Sequence, residues 1–241
     1  MFNQQNNNFQ TSSYSEESGI ASKTFISGVF MWMFMALSVT GITAFLFASN
    51  PSLINLLRNE TGMSTLGIIV TFAPLGFVLL MSMGFNKFSA TLITLFFAIF
   101  SVLMGMSLSF IFLIYTLGSI YLTFAIAAGM FGIMAVAGYT TKTDLTKFGS
   151  LMIMGLIGII IASVVNYFMK SGTMDYIISF LGVLIFTGLT AYDVQKLKRI
   201  GSGSMYGDEN YKKLMIMGAL TLYLDFINLF LFLLRFFGNR K

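Results

Sequence analysis

Apolar residues fill this chain in long blocks, broken by short polar interruptions. The blocks are too long for strands and too uniformly apolar for helices with one solvated face. A helix needs roughly 20 apolar residues to cross the hydrocarbon core of a bilayer. Blocks of about that length occur as Phe25–Phe47, Leu66–Met83, Thr91–Ile114, Tyr121–Tyr139, Phe148–Phe168, Ile177–Arg199 and Leu214–Phe237. The pattern predicts an all-α membrane protein with seven transmembrane helices. The sixth block rests on a length argument. Ile177–Tyr192 holds only 16 residues, so the helix is expected to continue through Asp193, Gln195 and Lys196 to about Arg199, carrying Asp193 inside the membrane boundary. Pro74 lies within the second block, where it is expected to kink the helix rather than end it. Ala125/Gly129, Ala128/Gly132 and Gly158/Ala162 are small residues four apart, a spacing that lets helices approach closely.

Residues 1–20 follow another pattern. Asn3, Gln4, Gln5, Asn6, Asn7, Asn8 and Gln10 are followed by Thr11, Ser12, Ser13 and Ser15. Such a stretch buries too little apolar area to offset its ordering entropy, so it is expected to be a disordered tail before a transmembrane domain at 21–241. It lacks the basic start and short apolar core of a signal peptide, so the first block is expected to remain in the mature protein.

Composition narrows the function. The chain has 241 residues, 56% hydrophobic and only 10% charged, too few charges to clothe a soluble domain, which carries about 25%. With no Cys and no His, thiolate nucleophiles, Ser-His-Asp triads and the usual zinc sites are excluded. No Gly-rich loop with a Lys suggests nucleotide binding, and no basic face suggests nucleic acid. The expectation is a protein that is not an enzyme and carries no cofactor. Charge also orients the chain. Seven spans put Lys23, Lys87, Lys142, Lys147, Lys196, Lys198, Arg199, Lys212 and Lys213 on the side of the N-terminus, and Arg58, Lys170, Arg235, Arg240 and Lys241 on the other. Nine against five predicts a cytoplasmic N-terminus.

Of nine carboxylates, seven fall in expected loops or tails. The other two are Asp193 and Asp225. Asp225 is the twelfth residue of its block, ~18 Å in and close to the bilayer middle. An ionised Asp there costs about 2.5–3.5 kcal/mol even on the lenient insertion scale, so it persists by facing a cavity, finding a partner or holding a proton. Arg235 lies ten residues on, roughly 15 Å along the axis, and reads as an interfacial anchor. The remaining candidate partner is Asp193. Two carboxylates in one low-dielectric site share a proton and titrate as a pair; ionised, they offer hard oxygens that suit a transient Ca²⁺. Alternatively, Asp193 forms an ordinary helix-surface pair with Lys196. Tyr192, Tyr223, Asn228 and Asn166 are polar residues that could line a cavity near the pair.

These residues sit in segments that resemble the bacterial branch of the Bax inhibitor-1 family. The resemblance lies in Gly105-Met-Ser-Leu-Ser-Phe-Ile-Phe-Leu-Ile-Tyr115, Gly138-Tyr-Thr-Thr-Lys-Thr-Asp-Leu145, Phe186-Thr-Gly-Leu-Thr-Ala-Tyr-Asp-Val-Gln-Lys196 and Leu224-Asp-Phe-Ile-Asn-Leu-Phe-Leu-Phe-Leu-Leu-Arg235. It covers nearly the whole chain from about residue 23, and its Tyr-Asp-x-Gln-Lys and Leu-Asp-x-x-Asn-Leu-Phe elements are specific in combination. The resemblance implies seven helices with the last surrounded by the other six. It also implies a pH-sensitive Ca²⁺ leak whose sensor is an aspartate pair, here Asp193 and Asp225, and residence in a cell membrane as a multi-pass protein. Candidates for a cation that latches the pair are Lys196, Arg199 and Lys142.

The leading expectation is thus a passive, proton-gated cation leak, with the bilayer, Ca²⁺ and protons as its partners. An intramembrane aspartyl protease also places Tyr-Asp on one helix and Asp on the next. Its second Asp follows Gly-x-Gly, however, whereas Leu222-Tyr-Leu224 precedes Asp225 here. A third reading is a non-conducting regulator that contacts a membrane protease or stress pathway through its tail or loops.

Overall fold

Seven apolar helices long enough to span a bilayer form the computed structural model, which describes residues 2–59, 62–203 and 207–241, with side chains from residue 21 onward. The expected disordered tail, residues 1–20, lies outside the residues whose side chains are described. In chain order the elements are α1 (Phe2–Ser49), α2 (Pro51–Leu57), β1 (Arg58–Asn59), β2 (Gly62–Met63), α3 (Thr65–Met83), α4 (Ala90–Leu108), α5 (Ile111–Ile114), α6 (Leu117–Thr140), α7 (Thr146–Met169), α8 (Gly172–Gly203) and α9 (Glu209–Phe237). The spanning part of α1 is Ala21–Ser49, and α4 with α5 makes the third span, Ala90–Ile114. The small antiparallel pair β1–β2 and the short α2 fill the connection after α1.

Local chemistry fixes where the spans begin. The first N–H groups of a helix have no partner within it, and short polar side chains supply one. Ser64 Oγ accepts from Gly67 N–H at 3.0 Å, Ser89 Oγ from Leu92 N–H at 3.3 Å, and Asp208 Oδ1 from Glu209 N–H at 2.7 Å. At the far end of α7, Lys170 turns into the left-handed region, φ 52°, and the chain reverses into α8. Pro74 lies buried inside α3 without ending it. As the length argument required, α8 runs through Asp193 and past Arg199.

The last two helices are the middle of the bundle. In the apolar stretches of α9 and α8, 67% and 61% of the residues are buried, whereas in the other five spans the share lies between 11% and 33%. α9 packs against α1, α4, α6 and α8, while α3 is held mainly by α4, and α7 by α8. The implied ring of six around the last helix is therefore an inner ring of four, with α3 and α7 outside it.

The expected small-residue seams lie elsewhere. Gly129, Gly132 and Gly158 face open space. The buried stripe of α6 is instead Thr123, Ala127, Phe131, Ala135 and Gly138. Its closest approach is at Gly138, where a Cβ would run into the Ala191 carbonyl of α8; a Cβ at Gly105 on α4 would likewise meet the Thr40 carbonyl of α1.

Candidate functional site

Asp193 and Asp225 lie on facing sides of α8 and α9 and are 9% and 5% exposed. Their carboxyl groups come within hydrogen-bonding reach of each other. Both border a cavity of about 580 Å³ that separates α9 from α7. Ile159, Phe186, Leu189, Leu224 and Phe232 supply apolar walls; Ser163, Thr221 and Asn228 add polar groups.

Those polar groups spend their protons locally. Ser163 Oγ donates to the Ile159 carbonyl at 2.7 Å and Thr221 Oγ1 to the Met217 carbonyl at 3.1 Å. Asn228 Nδ2 donates to the Leu224 carbonyl at 2.8 Å. What they leave for the cavity is mainly oxygen lone pairs. Among the described residues Asp225 Oδ2 has no hydrogen-bond partner, and neither aspartate is in an ion pair within 4.0 Å. A buried carboxylate oxygen left this way is costly, and a proton or a cation would relieve it.

The other expected site residues separate into groups. Tyr192 borders the cavity and packs its ring on Gly149 of α7, where no Cβ would fit. Lys196 also borders the cavity and places its positive charge by Asp193, beyond ion-pair distance. Tyr223 points the other way. Thr40 Oγ1 donates its one proton to the Ser101 carbonyl at 2.8 Å, so the 2.8 Å contact between Thr40 and Tyr223 has the tyrosine as donor. This chain of bonds ties α9 to α1 and α4, remote from the pair. Asn166 is also elsewhere: its carbonyl takes Lys170 N–H at 2.7 Å and its Oδ1 takes Ser171 N–H at 3.1 Å, which shapes the α7–α8 turn.

Two latch candidates serve the α6–α7 connection instead. Arg199 meets Asp144 at 3.2 Å, and Lys142 borders a separate polar hollow with Asp144 and Arg199. Bonds from the Thr146 hydroxyl and N–H, joined by the nearby Arg199, hold the exposed Asp144 carboxyl below the usual carboxylate range. Arg235 is more than an anchor: it pairs at 3.3 Å with Asp175, in the first turn of α8.

Sequence reasoning assigned no role to Gln195 or Lys198. Gln195 Oε1 accepts from Leu145 N–H, and its Nε2 donates to the Thr143 carbonyl, both at 2.8 Å. Lys198 Nζ donates to the Tyr139 carbonyl at 2.8 Å. One face of α8 therefore grips the end of α6 and the 141–145 connection, while another carries Asp193 and Lys196. The signal was present in the Tyr-Asp-x-Gln-Lys run, because residues two apart on a helix point to different sides.

Fold and site together define a seven-helix membrane protein built around a buried carboxylate pair. The family described as Inhibitor of apoptosis-promoting Bax1 matches residues 22–241, and the chain belongs to this Bax inhibitor-1 family. It is 45% identical over 220 residues to Inner membrane protein YbhL of Escherichia coli, covering 91% of this chain and 93% of that protein. An uncharacterised protein of Rickettsia prowazekii is 46% identical over 217 residues, 88% of each chain. One from Borreliella burgdorferi is 45% identical over 217 residues, 90% of this chain and 92% of that protein.

Proposed function

We propose that this protein is a pH-sensitive passive cation leak, with Ca²⁺ the principal ion, gated by the Asp193–Asp225 pair. By similarity to YbhL it resides in an inner membrane; the nine-to-five division of Lys and Arg puts its N-terminus in the cytoplasm. The observation that carries the reading is two buried carboxyls within hydrogen-bonding reach of each other, beside a largely apolar cavity that carries a few oxygen groups, with no cation among the described residues paired to either one. A proton shared by the pair holds α8 and α9 together there. Its loss leaves two like charges side by side, which repel or draw in a divalent cation. Ca²⁺ takes 6–8 oxygen ligands. Among the described residues no three acidic, His or Cys side chains gather as a metal site. The pair with Ser163, Thr221, Asn228 and water suits transit of the ion rather than its retention.

The test is Ca²⁺ flux into proteoliposomes of the full chain from pH 5 to pH 8, beside Asp193→Asn, Asp225→Asn and protein-free vesicles. Flux should rise with pH in the unaltered chain and lose that dependence in each variant. Flux no greater than in empty vesicles at every pH would remove the leak reading. Orientation is tested separately in this Cys-free chain: a cysteine replacing Lys142 should react with an impermeant maleimide only from the cytoplasmic side.

A further inference from the structure

A second cavity, of about 1140 Å³, lies between α1 and α4 with α9 as its floor. It is graded along its length. Lys23, Thr24, Ser27, Thr91 and Lys212 border it where the three spans begin, at one face of the membrane. Met31, Trp32, Leu95, Ala98 and Met215 border its deeper part. From Lys23 to Trp32 is nine residues, ~13 Å along the helix axis, or nearly half of a hydrocarbon core of ~30 Å.

The cationic end carries two lysines that no ion pair among the described residues satisfies. Glu209, the nearest acid on α9, accepts from Ala90 N–H at 3.0 Å and pairs with Lys213 at 3.9 Å. Asp208 caps its own helix. Among the described residues neither Lys23 nor Lys212 is in an ion pair within 4.0 Å. Met31 and Leu95 are exposed on the outer rim, so the groove opens sideways to lipid rather than to water.

We propose that this groove binds one anionic glycerophospholipid of the surrounding leaflet. Its phosphate lies between Lys23 and Lys212, its glycerol region meets the hydroxyls of Thr24, Ser27 and Thr91, and one acyl chain runs down past Met31, Trp32 and Leu95. A soluble anion would use the lysines and leave the apolar length empty. A zwitterionic lipid would fill the length and leave the two charges unmatched. Near an anionic surface each lysine adds a factor on the order of fivefold in binding.

Trp32 is the chain's one tryptophan and reports directly from the groove. The full chain is reconstituted in phosphatidylcholine vesicles containing a minor fraction of brominated phosphatidylglycerol or, separately, of brominated phosphatidylcholine. At equal mole fraction the brominated anionic lipid should quench Trp32 several-fold more. The excess should vanish in the double variant Lys23→Gln/Lys212→Gln and persist in Lys170→Gln/Lys241→Gln, which alters charge at the opposite membrane face; circular dichroism verifies that each variant is folded. Equal quenching by the two lipids, or an excess that survives Lys23→Gln/Lys212→Gln, overturns the proposal. So does an excess abolished by inorganic phosphate, which assigns the lysines to a soluble anion, or one that varies with protein density in the vesicle, which assigns the groove to a second copy of the chain.

Discussion

Replacing Asp225 by Leu should make the protein more stable while removing the pH response of its flux. On the insertion scale an Asp at mid-helix costs about 2.5–3.5 kcal/mol, and a Leu there gains about 0.3–0.6 kcal/mol. Full relief would total about 3–4 kcal/mol. The variant also loses the contact with Asp193, and intramembrane hydrogen bonds average about 0.6 kcal/mol. Overpacking adds little, since the larger side chain enters a cavity of about 580 Å³. Asp225 Oδ2 has no partner among the described residues to lose. Allowing for partial solvation of the carboxylate through the cavity, we expect a net gain of about 1–3 kcal/mol. The assay is reversible unfolding in mixed micelles of rising sodium dodecyl sulfate, followed by the fluorescence of Trp32 and by circular dichroism. A loss exceeding about 1 kcal/mol would refute the reasoning, because the contact of Asp225 with Asp193 would then contribute more to stability than burial of the carboxyl costs.

Two further outcomes test the supports of the site. Thr40→Val strands the Tyr223 hydroxyl and removes the extra bond to the Ser101 carbonyl, which keeps its helical partner within α4, and should cost about 1–3 kcal/mol; Tyr223→Phe leaves the bond from Thr40 to Ser101 intact and should cost about 0.6–1.7 kcal/mol. The double variant should cost less than the sum in the same unfolding assay, and additive losses would mean that the three groups do not act as a chain. Asp144, held low first by Thr146 and then by Arg199, favours the fold at pH values above the ordinary carboxylate range and loses that contribution only as pH falls through its lower folded value. Its carboxyl carbon, followed by nuclear magnetic resonance, should therefore titrate below that range and move back up in Thr146→Ala; an unshifted titration in the unaltered chain would contradict the geometry.

The spans were legible because length alone identifies them. The extension of α8 past Tyr192 followed from the thickness of a bilayer. Which side of each helix faces inward was harder to read. Outside a membrane protein the neighbour is hydrocarbon, as apolar as the core, so hydrophobic periodicity carries little contrast. The small pairs on α6 illustrate this: Gly129 and Gly132 have the right spacing and face outward. Buried hydroxyls mark the inside better, as Thr40, Ser101 and Thr123 do. Tyr223 was placed by closeness in sequence, although two residues correspond to roughly 200° around a helix; Asn228, three residues on, does share the cavity with Asp225. Asn166 went astray because its work lies at a helix end, where composition says least.

The carboxylate pair sits where close packing stops. On one side α9 is tied to α1 and α4 through Tyr223, Thr40 and Ser101, with Phe97 and Phe100 edge-on to the tyrosine ring. On one side α8 lies main chain against main chain with α6 at Gly138; Lys198 bonds the end of α6, and Gln195 fastens the connection beyond. Contacts of this kind have no slack, because protein interiors are packed as densely as organic crystals. The opposite sides of the same two helices meet the cavity, and among the described residues the buried carboxylates lie there. On the proposed gating, a change of charge on Asp193 or Asp225 would be felt first by the contents of the cavity. The fold itself is held by the other faces. Under that gating, the division is why a substitution that removes the pH response should leave the protein better folded.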